Sequence, residues 1–244
     1  MSEEITMMEV TPESTDLPGA GLPKTKSEIM RKMATDHDIS GVDMSGMDLA
    51  GAKFTGVKMQ KTSLANADLS GAVVAGADAA EADFSNTNMS GVVVMGANLF
   101  GAIFKNAQLA AAKVFGANLE QADLSNADLT DAKLMGTNLA GTTVKNANLT
   151  AVKVMGSNFR DADFTSADLT AATLRRIDVT GADFTNVDTT GARSGGVDWS
   201  QAKVPPAQLP EALPTVPPWL PPVVAAAVVL TVFLIVRKMK QKKG

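Results

Sequence analysis

From about His37 to about Gln201 the chain keeps a strict five-residue period. In fives it reads HDISG VDMSG MDLAG AKFTG VKMQK TSLAN ADLSG at the start, and ANLEQ ADLSN ADLTD AKLMG TNLAG further on. Thirty-three such units follow one another without an insertion. The central place holds Leu, Phe, Met, Val or Ile almost throughout, and the place two earlier holds Ala, Val, Thr or Ser. Asp or Asn is common between them. A fixed period outranks local propensity, because one unit cannot cover its own apolar side and must stack on its neighbours. Five suits neither the 3.6 of a helix nor the 2 of a flat strand. It suits a coil of four sides, with the central residue and its small partner inward and the other three places outward.

A second period supports this. The last residue of alternate units is Gly at 56, 76, 96, 116, 136 and 156, and Asn at 66, 86, 106, 126 and 146. The structural repeat is therefore twenty residues, with like residues stacked at equivalent corners. Gly and Asn are the residues best able to turn a backbone through unusual dihedrals. Eight coils at the strand spacing of about 4.8 Å give a rod roughly 40 Å long.

The A-(D/N)-L-x-x units resemble the pentapeptide-repeat family over about two-thirds of the chain. The resemblance implies an all-β fold, a right-handed quadrilateral β-helix (a solenoid) of about eight coils. Departures are few: Ala79, Thr189 and Ser194 occupy central places. The last two predict a loosely packed final coil, and Trp199 an apolar plug for its open end.

The flanks divide further. Residues 1–24 are acidic, dotted with Gly and Pro and without apolar periodicity, which predicts disorder; no basic-then-apolar run marks a cleaved signal. Thr25 and Glu28 fit a capping box, predicting a short helix within 25–36 ahead of the solenoid at 37–203. Residues 204–222, VPPAQLPEALPTVPPWLPP from Val204, predict an extended proline-rich linker. Val223 to Val236 are uncharged, and Trp219 with Arg237, Lys238, Lys240, Lys242 and Lys243 suits the two interfaces of a bilayer. This predicts one C-terminal transmembrane helix at 223–236 and a basic tail at 237–244. The expectation is a single-pass membrane protein, lipid-bound through that helix, with its β-helix facing the cytoplasm.

Chemistry is sparse. One His, no Cys and no Tyr are a poor inventory for acid–base or thiolate work. His37 suits a turn at the first coil. Asp recurs at 68, 128, 168 and 188, and at 83, 123, 163 and 183, as outward places whose carboxylates bond local backbone. No phosphate loop, metal-spaced set or nucleophile elbow is found. The chain reads as a non-enzyme without cofactor, metal or small-molecule substrate. A net charge of −4 is too mild to imply a nucleic-acid partner.

Sorted by twenty, the outward places are unequal. One side carries only polar residues or Ala, such as Asp128 and Thr130. Another carries Val93, Met95, Lys113, Phe115, Lys133, Met135, Lys153 and Met155. An exposed apolar strip beside one sign of charge marks a contact surface, and Met suits an adaptable one. Alternatively, the Met and Phe side chains lean over the corner and cover the Gly column. The leading reading is a membrane-anchored scaffold presenting this Met/Phe/Lys face to a protein. A structural subunit of a larger membrane complex is the alternative. A DNA-mimicking gyrase inhibitor, which the family resemblance also suggests, ranks last because a Lys column interrupts any acidic surface.

Overall fold

In the computed structural model, which describes residues 25–214, the five-residue period becomes a parallel β-solenoid of about eight turns. The central and small places are buried and the other three are outward or half-buried, as at Ala72 and Val74 against Gly71, Val73 and Ala75. Backbone partners lie twenty residues apart, so one turn of coil is four units. At each corner, one residue in every five from Gly41 to Gly196 has a positive φ.

The sides differ in backbone as well as in sequence. One is a continuous sheet of three-residue strands: Lys53–Thr55 (β1), Val73–Ala75 (β2), Val93–Met95 (β3), Lys113–Phe115 (β4), Lys133–Met135 (β5), Lys153–Met155 (β6), Thr173–Arg175 (β7) and Arg193–Gly195 (β8). They pair in parallel in chain order. The other three sides touch the next coil through single bridging residues, such as Asp78 to Asn98 and Asp83 to Ile103.

The core is one column of central residues with the small partners packed around it. Phe84 stacks on Phe104 with ring centres 4.8 Å apart, and Phe164 on Phe184 at 5.0 Å. Where Thr replaces Ala at the small place, its hydroxyl is buried and satisfied. Thr62, Thr87 and Thr142 donate to the carbonyls of Ile39, Leu64 and Leu119.

Both described ends are covered. The helix Lys26–Thr35 (α1) carries the expected capping box between Thr25 and Glu28, and buries Ile29 and Met33 against the core. His37 is the expected turn, exposed and left-handed at φ 53°. At the other end, Trp199 is buried in a short 3-10 turn and meets Phe184 edge-on at 5.3 Å, so it does act as a plug. The final coil, however, is not loose. Thr189 and Ser194 are buried, Thr189 donates to the Gln208 carbonyl, and Ser194 accepts from the Trp199 indole at 3.3 Å. These polar residues stand in apolar places because each has a partner in the cap.

That cap includes the first residues expected to be linker. Val204 bridges Asp183, and Glu211–Ala212 (β9) pairs with β8. Leu213 donates its amide to the Ser194 carbonyl at 2.7 Å. A Cβ at Gly195 would come within 3.2 Å of Leu213, which explains the glycine there. Over 204–214, then, the proline-rich segment folds back on the solenoid. Among the described residues no helix is long and apolar enough to cross a membrane. Residues 1–24, the rest of the linker, the expected helix at 223–236 and the tail at 237–244 lie outside the described residues. Trp219, Arg237, Lys238, Lys240, Lys242 and Lys243 lie there too.

Candidate interaction face

The residues singled out from the sequence fall together on the continuous sheet. Met95 registers with Phe115, Phe115 with Met135, and Met135 with Met155. In the neighbouring column Val93 registers with Lys113, Lys113 with Lys133, and Lys133 with Lys153. A strand sends alternate side chains to opposite faces. Burying Val94, Val114, Leu134 and Val154 therefore obliges both flanking columns to stand outward.

Met95 and Met155 are 44% and 43% exposed, while Phe115 and Met135 between them are half-buried. A Cβ at Gly96, Gly116, Gly136 or Gly156 would meet no atom of a neighbouring coil within 4 Å. The apolar ladder leaves that glycine column open to the coils above and below.

The face extends further than the sequence reading took it. Lys53 lies in the same column as the lysines, Arg193 at its far end, and Arg175 follows Met155 in the apolar column; Arg176 is the adjoining corner. Seven cations thus occupy the outward and corner places of β1 to β8, and the carboxylate this sheet carries is Glu211 of β9, in register with Arg193. The missed signal was that the twenty-residue columns continue for further coils at both ends.

Elsewhere several cations are neutralised locally. Lys105 pairs with Asp123 at 3.1 Å, Lys145 with Asp163 at 2.9 Å, and Arg160 with Asp178 at 3.5 Å. The hydrogen bond from Lys145 to Asp163, aided by its charge, raises the lysine pKa above its ordinary value. Among the described residues, only Arg193 on the sheet face has such a partner, Glu211 at 3.4 Å. Among the described residues Lys53, Lys113, Lys133 and Lys153 form no ion pair. Three of them are in direct lateral register, an arrangement that like charges disfavour.

The aspartates take the role expected of them. Asp68, Asp128, Asp168 and Asp188 each accept from the backbone amide two residues on. So do Asp83, Asp123, Asp163 and Asp183 on another side. The hydroxyl and then the amide of Thr185 hold Asp183 below the ordinary carboxylate pKa, and Thr190 does the same for Asp188. Among the described residues no group of three or more His, Asp or Glu is placed to hold a metal ion. The sequence reading also missed an amide ladder: Asn118, Asn138 and Asn158 each donate to the Asn one coil earlier, at 2.9–3.3 Å.

A family model described as pentapeptide repeats matches residues 38–71, 80–114, 115–150 and 147–186. Among solved structures, the chain is similar to QnrB1, a plasmid-mediated fluoroquinolone resistance protein, with 18% identity over 67% of this chain and 91% of that one (TM-score 0.39). HetL, a pentapeptide repeat protein involved in heterocyst differentiation regulation in the cyanobacterium Nostoc sp. strain PCC 7120, is 20% identical over 77% of this chain and all of its own (TM-score 0.26). Rfr23 from the cyanobacterium Cyanothece 51142 is 18% identical over 72% and 99% (TM-score 0.32). No curated protein is significantly similar in sequence.

Proposed function

The chain belongs to the pentapeptide-repeat family, and on that premise we propose that it is a non-enzymatic, membrane-anchored scaffold whose sheet face receives a protein partner. Proteins of this family are generally structural or interaction modules. The right-handed sense of the coil is taken from the same kinship. One observation carries the reading: on the continuous sheet, an outward Met/Phe ladder, exposed at Met95 and Met155, runs beside three lysines that have no ion partner among the described residues.

The ladder supplies adaptable apolar contact, and the lysines supply charge that an acidic partner would complement. Anchoring rests on the uncharged run Val223–Val236 with Trp219 on one side and the basic tail on the other.

The test is affinity purification of the full chain in mild detergent, alongside a variant with Met95, Phe115, Met135 and Met155 all changed to Ser. The variant loses the co-purifying protein while its circular dichroism stays that of the parent. Unchanged recovery by a folded variant refutes the reading. A constant stoichiometric set of partners identifies a subunit of a larger complex instead of an adaptor.

A further inference from the structure

The sheet face and the side of the coil just before it are opposite in charge. We infer that the Lys/Met/Phe face of one copy docks on that acidic side of a second copy, with the rods antiparallel. The inference rests on the reading of this face as a contact surface, and names its partner.

The side before the sheet carries Asp48, Asp68, Asp128, Asp131, Asp168 and Asp188 at its outward and corner places, and no cation. Among the described residues Asp68, Asp128, Asp168 and Asp188 form no ion pair. Asp128 and Asp188 accept from local groups through Oδ1. The sheet face is the converse. Lys53, Lys113, Lys133 and Lys153 are exposed, and the sheet's carboxylate, Glu211, is engaged by Arg193 at 3.4 Å. The other two sides mix both signs, as where Lys61 pairs with Glu81 and Lys145 with Asp163.

The direction of the chain selects the antiparallel arrangement. It runs the same way around every side, so two facing sides of parallel rods run in opposite lateral directions. Those of antiparallel rods run in the same direction. Only antiparallel rods therefore set the Lys column opposite the Asp column. The Met/Phe column then faces Ala, Ser and Thr, which leave room for large side chains. With the coils overlapped in full, Lys53 meets Asp188 and Lys113 meets Asp128, while Lys133 and Lys153 meet the amides of Gln108 and Asn88. Met95, Phe115, Met135 and Met155 meet Thr150, Thr130, Ala110 and Ser90.

A side about 40 Å long and roughly 10 Å across covers about 400 Å² on each copy. That is half of the standard contact of about 800 Å² per partner, so the pairing is weak and depends on concentration. The two engaged sides differ, so the contact does not close on a two-fold axis. Each bound copy still offers a free sheet or a free acidic side, and copies add in an open series.

Sedimentation velocity of the full chain in mild detergent, with two variants, tests this. One variant carries Lys113→Glu, Lys133→Glu and Lys153→Glu. The other carries Asp68→Asn, Asp128→Asn, Asp168→Asn and Asp188→Asn. Asn keeps the local bond, since Asn88 and Asn148 of the same column accept the same amide at 3.2 and 3.0 Å. The parent grows past the dimer as its concentration rises, and each variant alone stays monomeric with the circular dichroism of the parent. An equal mixture of the variants forms dimers and nothing larger, because one supplies an intact acidic side and the other an intact sheet face.

A parent that stays monomeric overturns the proposal, and so does association that both variants retain. A mixture of folded variants that stays monomeric overturns it as well. Partner recovery separates these outcomes from failure of the underlying reading. If the parent is monomeric but recovery of another protein still depends on the Met/Phe ladder, the face is a contact surface for a different partner. If the Met/Phe-to-Ser variant also recovers proteins as the parent does, both readings fall. Retention of a monomeric parent on phosphatidylglycerol vesicles that is lost with the three Lys→Glu changes identifies an anionic lipid surface instead of a second copy.

Discussion

At the corners, backbone conformation is imposed residue by residue, and the sequence meets it unevenly. Gly occupies about half of these left-handed places; Ala111, Ala151, Ala171 and Arg176 are among the rest. A Cβ in this region costs roughly 1–2 kcal/mol, partly offset by the 0.5–1 kcal/mol that Gly loses in backbone entropy on folding. Ala171→Gly therefore stabilises by about 0.5–1 kcal/mol, and Gly136→Ala costs about as much although a Cβ there meets no atom within 4 Å. Urea titration of the two variants checks both signs. The aspartates carry a second residue-scale consequence. Asp43, Asp183 and Asp188 have folded pKa values below the ordinary 3.8. Their contribution is complete above that value and is lost as the pH falls through it toward the folded values. The melting temperature holds from about pH 7 to 5 and drops below about pH 4; a flat profile down to pH 3 contradicts the role given to these bonds.

Along the elements, β4 to β6 set three lysines side by side where Val or Thr is the better strand former. Like charges directly opposite cost a few tenths of a kcal/mol per pair, up to about 1. Lys133→Thr removes two such pairs, so thermal unfolding moves upward while partner recovery falls. A variant that is both less stable and equally well recovered shows that the column serves the fold and not a contact. The ladder itself was legible from the sequence, because the twenty-residue sorting puts Met95, Phe115, Met135 and Met155 in one column. That this column lies on the one continuous sheet was not. Both kinds of side share the same five-residue pattern, and the difference lies in how the turns close.

For the whole molecule, stability runs coil to coil and is limited by its ends. α1 covers one end. Trp199 and the 204–214 segment cover the other, with Pro206 and Pro210 buried in a stretch that has fewer backbone donors to leave exposed. Trp199→Ala removes the plug at a cost of about 3–5 kcal/mol. Thr189→Val leaves the Gln208 carbonyl without its hydroxyl partner at about 1–3 kcal/mol. Hydrogen exchange locates the damage: amides from about Val179 onward exchange faster, and those around Leu64 to Leu99 do not. Uniform acceleration along the rod replaces this picture with a single cooperative unit.

The sequence by itself determined the four-sided solenoid, its inward and outward places, the capping helix and the apolar plug. Each follows from a period or a local motif that needs no distant residue. Tertiary structure alone decided the rest. It made one side a sheet and left three as single bridges. It folded the proline-rich segment back as a cap. Thr189 and Ser194 show the physical reason. As central residues in a repeat they read as packing defects, because their partners, Gln208 and Trp199, are chosen by how the chain turns back and not by the period.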